Sequence, residues 1–454
     1  MQPLSAQQLA AILGVTVAAG NPAVVIAGGV ATDTRKLVAA AVFFALRGVN
    51  FDGDGFAAQA LANGANVAVV HTWSGPVPSD RAVILVPDTL LALQRLAYWW
   101  RQQLDLPVVA ITGSNGKTST KDFTAAVLSQ KFAVAATQGN FNNHIGVPLS
   151  VLATTPAHTA AVWEMGMNHR DEIAPLCEIA KPDYGVITNI GSAHLEFMGT
   201  REAIAEEKSA LARALPATGM LFVPAACEFL DFLRQRTRAT LVSVGNGRGV
   251  VRAENLRPAA TGTRFTLVID GQSPAEVALS VPGRHMVTNA LLAAAVGWKL
   301  GLASPAIAAG LSAAVLTNGR LRSFNHRGVT VIDDTYNANP ESMAAAIETL
   351  ADTPVSAGAR RIIVLGRMGE LGIHAPAAHQ RCGELAAAKG LTLIAVGEGA
   401  EGIAAGAGDA PYFADFGAAA AWLTREVRPG DVVLFKGSRT ATVERVMLTA
   451  FPPY

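Results

Sequence analysis

Cysteine is scarce in this 454-residue chain, with three residues, Cys177, Cys227 and Cys382. An odd, widely spaced set without metal-ligand spacing excludes a disulfide framework and a thiolate metal knot, and predicts reduced thiols in a cytoplasmic protein. Charge is sparse as well: 16% of residues are charged and the net charge is +1, so bulk electrostatics offers nothing to a nucleic acid. No apolar run is long enough to span a bilayer. The most membrane-like stretch, residues 289–316, is divided by Lys299, Gly301 and Pro305 and reads as two packed helices, so no integral membrane association is expected. The opening "MQPLSAQQLAAILGV" lacks a basic start and a small-residue cleavage site; it reads as an amphipathic helix capped by Ser5, with no export expected. Low-complexity tails and solenoid periods are missing too.

What the chain does have is a well-buried composition, half of it apolar. Its length corresponds to about three domains at roughly 150 residues each. Apolar runs of strand length alternate with Ala- and Leu-rich helical stretches, the pattern of an α/β protein with parallel sheets and helical crossovers. Residues 1–84 contain the strand-like "VFFALRG" and "NVAVVH" around a helix-like "GFAAQALANGA". Residues 85–318 form a central segment. A Gly- and Arg-rich turn near residue 319 is followed by a fresh strand, residues 329–332. Beyond it "RRIIVLG", "LTLIAVG" and "DVVLFKG" each end at Gly, which predicts a small doubly wound, Rossmann-like sheet over 319–454.

The stretch "ITGSNGKTST", residues 111–120, resembles a phosphate loop two residues short: only Ser114 and Asn115 separate Gly113 from Gly116. An apolar strand precedes it and a helix-like segment follows. Glycines there allow backbone N–H groups to approach phosphate oxygens at the positive end of a helix. Lys117 is then expected against the β and γ phosphates, with the Thr118 hydroxyl on magnesium. The alternative is a glycine turn with a solvated lysine. "TAAVWEMG" adds a strand ending at Glu164, a Walker-B-like acid or else a water-facing glutamate.

Further on, "DYGVITNIGSAHLEFMGT" carries His194 in a strand's exit loop, where ligands bind in parallel sheets, and "REAIAEEKSALARAL" carries Lys208. Taken alone, His194 reads as a structural histidine and Lys208 as one charge on a wet helix face. "PGRHMVTNA" places Asn289 at a helix start. "IDDTYNANPESM" follows a strand, and "LFKGSRTA" offers Lys436, Ser438 and Arg439 as an anion site or a solvated basic turn. The glycines of "GRMGELG", residues 366–372, are not a dinucleotide fingerprint.

Taken together and in this order, "TGSNGKT", "GNFNNHIGVP", "EMGMNHRDEI", "AHLEFMG", "PGRH", "DDTYNANPESM" and "KGSR" resemble the Mur ligase family, ATP-dependent enzymes that build the peptidoglycan peptide stem. Within it, "TDTRKL", "FDGDGF" and "KGSRTATVERV" are most similar to the branch that adds D-Ala-D-Ala to a UDP-N-acetylmuramoyl-tripeptide. The resemblance implies a uridine-diphosphate-sugar domain, a central P-loop-type ATPase domain and a C-terminal dipeptide-binding domain. It also implies ATP and Mg2+, those two substrates and a monomer.

It implies residue roles too. Gly113, Ser114, Asn115, Gly116, Lys117, Thr118 and Ser119 hold the ATP phosphates. Thr118, Glu164 and His194 ligate metal, joined by Lys208 once carbamylated. Lys117, Glu164, His194 and Lys208 form the catalytic group. Asn289, Arg320, Asp334, Tyr336 and Asn337 contact the nucleotide. Thr34, Arg35 and Arg47 meet the uridine diphosphate, Asn142 and Asn143 the muramyl-peptide, and Lys436, Ser438 and Arg439 substrate. Two departures stand out: Ala39 and Ala40 replace the usual Pro-Gly, and Arg367 replaces an aspartate. The other readings are a folate- or cyanophycin-type amide ligase, another Mur-type ligase, or a non-catalytic nucleotide-binding protein.

Overall fold

The structure is a computed structural model and describes residues 1–48, 51–259, 262–408 and 410–452. Ser5 opens the first helix, Ala6–Leu13, as expected. Its hydroxyl accepts the Gln8 N–H at 3.1 Å while Gln8 Oε1 accepts the Ser5 N–H at 2.8 Å. Reciprocal capping of this kind stabilises a helix by about 1 kcal/mol.

Contacts gather the chain into two compact units. The first comprises Met1–Ala110, Phe132–Met167 and Asp171–Tyr184. In it five strands order as Val17–Gly20, Ala82–Leu85, Val67–Val70, Val42–Phe44 and Val30–Ala31. The first pair is antiparallel and the rest are parallel. Val42–Phe44 and Val67–Val70 are buried along their whole length, the mark of strands covered on both faces. Phe43, Ala68 and Val70 form a core with Ala57, Ala60 and Leu61 of the helix Ala57–Ala62. Asp88 caps the helix Thr89–Arg101 through the Leu91 N–H at 2.8 Å, and the buried Trp100 indole donates to Thr154 O at 2.8 Å. Strands Val134–Ala136 and Ala160–Glu164 of this unit pair in parallel.

The second unit comprises Ile111–Lys131, Asn168–Arg170 and Gly185–Tyr454. The membrane-like run is two helices here, Arg284–Lys299 and Ser304–Ala313. They pack on Lys117–Leu128 so closely that a Cβ on Gly310 would lie 2.7 Å from Val127 Cα. Asn289 is not at a helix start, as expected, but in the second turn. The helix begins at Arg284, directly after Gly283, which takes φ 108. Strands Met220–Pro224, Thr240–Asn246, Val251–Ala259, Gly262–Ile269 and Ala275–Leu279 lie side by side, the first two pairings parallel and the last two antiparallel.

The C-terminal sheet is doubly wound as expected. Its order is Arg322–His326, Val329–Asp334, Val432–Lys436, Arg361–Leu365, Thr392–Val396 and Tyr412–Phe413. All pairs are parallel except the first. The Arg-rich stretch read as a turn therefore contains an edge strand. A hairpin forms because Arg327 and Gly328 take φ of 51 and 85, as a two-residue turn of this hand requires.

Helix Ala375–Ala388 crosses helix Glu401–Gly406 at Gly383, where a Cβ would fall 2.0 Å from Ile403 O. Gly383→Ala gains about 1 kcal/mol of helix propensity, but this backbone clash outweighs it. The expected result is a net loss of about 1–3 kcal/mol, read as a lower urea midpoint.

Candidate active site

The short loop works because its neighbours complete it. Strand Val108–Thr112 is wholly buried, Gly113 takes φ 150 and Gly116 φ 78, and Lys117–Leu128 starts with no side-chain cap. Its first N–H groups therefore sit at the positive end of a helix, a ready anion site. Ser114 N–H donates to Asn189 O at 3.1 Å and Asn115 N–H to Asn189 Oδ1 at 2.8 Å, while Ser114 Oγ accepts the Gly191 N–H at 2.9 Å. Both glycines are obligatory. A Cβ on Gly113 would fall 1.9 Å from Thr188 Oγ1, and one on Gly116 would fall 2.7 Å from Asn289 Oδ1. Asn289 thus borders the loop despite its place inside a helix.

Around this cradle the second unit gathers several expected residues. Lys117 Nζ donates to Gly113 O at 2.8 Å, Arg320 Nη2 donates to Thr118 Oγ1 at 3.2 Å, and the Arg320 guanidinium lies 3.9 Å from the Tyr336 ring centroid. Lys436 is buried, with Nζ donating to Asp334 Oδ2 at 2.6 Å and to Asn337 O at 2.9 Å. Its charge is thus engaged by a protein carboxylate rather than lining an open turn. Burial pushes the Asp334 carboxyl up, against the pull of Lys436 and Arg320. Ser438 is buried, whereas Arg439 is exposed and pairs with Glu444 at 3.1 Å. Three residues unnoticed in the sequence also belong here. Asn339 Nδ2 donates to Asn115 Oδ1 at 2.7 Å, and Glu341 accepts both the N–H and the hydroxyl of Ser192 at 2.9 Å. The Asn-Pro-Glu-Ser run was a readable helix start, with Asn339 as cap and Pro340 first; its reach to the loop is tertiary.

His194 precedes the short helix Leu195–Met198 in a left-handed conformation, φ 63, with Glu370 Oε2 2.6 Å from its Nδ1. Lys208 is not on a wet helix face. Its side chain is 1% exposed within Arg201–Ala214. Burial drives its ammonium well below the usual lysine range, Lys117 pushing the same way and Glu207 opposing.

In the first unit Glu164 ends its strand buried, not facing water. Oε1 accepts from Asn142 Nδ2 at 2.7 Å, and the Glu164 N–H donates to Thr137 Oγ1 at 3.0 Å. Oε2 is buried with no hydrogen-bond partner, an arrangement costly for a carboxylate unless a cation meets it. Asn143 Oδ1 is occupied by the N–H groups of Ile145 and Gly146. Thr34 and Arg35 lie in an exposed turn where Arg35 holds the Asp33 carboxyl down at about 2, and Arg47 pairs with Asp52 and Asp54 at 3.0 Å each.

The described residues hold no cage of three His, Cys, Asp or Glu side chains. The donors present are a threonine hydroxyl, the orphaned Glu164 oxygen and an imidazole. Taken singly, each is a donor type that a divalent ion drawing most of its ligands from phosphates and water accepts.

Protein-family profiles match most of the chain. "Mur ligase family, catalytic domain" matches residues 27–98, "Mur ligase middle domain" 111–297, and "Mur ligase, glutamate ligase domain" 319–439. An Escherichia coli relative, "UDP-N-acetylmuramoyl-tripeptide--D-alanyl-D-alanine ligase", is 38% identical over 430 residues, 92% of each chain. The structure is similar to a crystal structure of MurF from Acinetobacter baumannii, with a TM-score of 0.89, 33% identity and 99% of each chain covered. It is also similar to a MurF ligase from Thermotoga maritima in complex with ADP, with a TM-score of 0.82, 30% identity, and 93% of this chain and 96% of that one covered. Matches of this length, over a strand, glycine loop and helix that form an anion cradle, place the chain in the Mur ligase family.

Proposed function

We propose that this chain joins D-Ala-D-Ala to UDP-N-acetylmuramoyl-tripeptide at the expense of ATP, releasing ADP and phosphate in the assembly of peptidoglycan precursors. The observation that carries the reading is whole-chain identity of 38% over 92% of a relative of that activity, together with an intact cradle from Gly113 to Thr118. An intact cradle also disfavours a degenerate nucleotide-binding protein. The proposed divisions are 1–84 for the uridine-diphosphate sugar, 85–318 for ATP and chemistry, and 319–454 for the dipeptide. The protein is proposed to act as a cytoplasmic monomer.

A carboxylate is a poor acyl donor. Transfer of the ATP γ-phosphoryl group to the tripeptide carboxylate gives an acyl phosphate, whose carbonyl the dipeptide amine attacks. The tetrahedral intermediate expels phosphate and leaves an amide. Lys117 and the loop N–H groups neutralise charge on the phosphoryl oxygens, and Arg320 with Tyr336 and Asn289 position the nucleotide, so catalysis is mostly placement and electrostatics. Thr118, Glu164, His194 and carbamylated Lys208 are the residues that would hold Mg2+, which when bound offsets phosphate charge. Thr34, Arg35 and Arg47 are assigned to the uridine diphosphate, Asn142 and Asn143 to the muramyl-peptide, and Ser438 and Arg439, beside Lys436, to the dipeptide side. Transfer of 18O from labelled tripeptide carboxylate into released phosphate tests the acyl phosphate. Unlabelled phosphate during turnover rules it out.

Burial that lowers the Lys208 pKa favours its amine as a nucleophile towards CO2, and a carbamate would turn Lys208 into an anionic ligand. Lys208→Ala is expected to lose at least about 100-fold in kcat and to regain activity with short carboxylic acids that occupy the space. Loss without rescue, or no loss, removes the carbamate from the account.

A further inference from the structure

Two residues facing each other at the His194 loop hold unusual backbone conformations. His194 has φ 63 and Glu370 φ 58, and neither is glycine. Such conformations cost of order 1 kcal/mol each and persist where surrounding contacts enforce them, often at functional sites. Here the contacts are on view. Glu370 Oε2 lies 2.6 Å from His194 Nδ1, and the Glu196 N–H donates to Glu370 O at 3.2 Å. Nδ1 meets no acceptor in line with an N–H, yet the carboxylate oxygen stands within hydrogen-bonding distance of it. Glu370 belongs to the loop after strand Arg361–Leu365, and a second buried group steadies that loop: His379 Nε2 accepts the Met368 N–H at 2.8 Å. On the other side Ser192, two residues before His194, is gripped by Glu341.

We propose that Glu370 is a positioning residue for the ligation reaction: its carboxylate takes the Nδ1–H of His194, fixing the tautomer that leaves the Nε2 lone pair free to bind a cation. The inference rests on the reading of His194 as a metal ligand. An imidazole ligates through one nitrogen only when the other carries the proton, and a carboxylate on that proton sets both tautomer and ring orientation. The Gly-rich "GRMGELG" run, without meaning as a cofactor fingerprint, gains one as the mount for this carboxylate.

The test is nitrogen-15 NMR of the histidine-labelled full chain without metal, at a pH where the imidazole is neutral, beside steady-state kinetics. Wild type is expected as the Nδ1–H tautomer at His194. Glu370→Ala is expected to show mixed tautomers, a kcat lower by about 10- to 100-fold and a Mg2+ half-saturation raised by a similar factor, with KM for D-Ala-D-Ala unchanged. Glu370→Gln keeps an acceptor oxygen and recovers the tautomer and most of kcat. An Nδ1–H tautomer undisturbed in Glu370→Ala overturns the proposal. A His194→Ala variant with an unchanged Mg2+ requirement instead overturns the metal reading, and leaves the tautomer result standing.

Discussion

Alanine in place of Lys117 lowers ATP-dependent ligation by about 1,000-fold and leaves the fold intact. The lysine is the first residue of helix Lys117–Leu128, and its Nζ lies 2.8 Å from Gly113 O, inside the turn proposed to receive phosphate. Removing it deletes a charge aimed at the place where phosphoryl charge develops. The half-buried side chain contributes little to packing, so stability changes by less than about 1 kcal/mol. Phosphate release and thermal melting on the same preparation separate the two effects. Near-normal turnover would take the loop out of the mechanism.

Lys436→Met has the largest expected effect on stability, about 3–5 kcal/mol. Lys436 is 3% exposed, and its ammonium is the partner of Asp334, whose side chain is 13% exposed. Methionine matches its volume but leaves the carboxylate unpaired. In the variant, folded Asp334 binds its proton more tightly than the unfolded chain does. The deficit is therefore small below the unfolded value of about 3.9, grows as pH rises, and is complete above the folded pKa. Urea unfolding at several pH values reads this directly. Adding Asp334→Asn should recover much of the loss, because two groups in contact couple. Equal stability of Lys436→Met and wild type would mean that the pair is incidental.

Local chemistry was legible in the sequence wherever it is set by neighbours along the chain. Gly113, Gly116, Lys117 and Thr118 could be read from strand, glycine and helix order. The C-terminal strands ending in glycine were legible too. What could not be read depends on which face of an element meets which partner. Lys208 sits among Glu206, Glu207 and Arg213, a composition that suggests a solvated helix, yet its side chain is buried. The Pro-Gly pair at 282–283 is a local signal for the start at Arg284, so Asn289 falls inside the helix rather than at its start. The antiparallel strands between Val251 and Leu279 leave no apolar run of strand length in the sequence, although Gly262–Ile269 alternates in burial. Glu370 and Glu341 were invisible as site residues because each acts across more than a hundred residues of sequence, on His194 and Ser192.

The most direct test of the central claim is phosphate release from ATP by the purified chain, measured with UDP-N-acetylmuramoyl-tripeptide and D-Ala-D-Ala present together and singly. The account predicts sustained, magnesium-dependent release only with both, matched by formation of the pentapeptide product. Sustained release with neither, or turnover that accepts glutamate in place of the dipeptide, would contradict it.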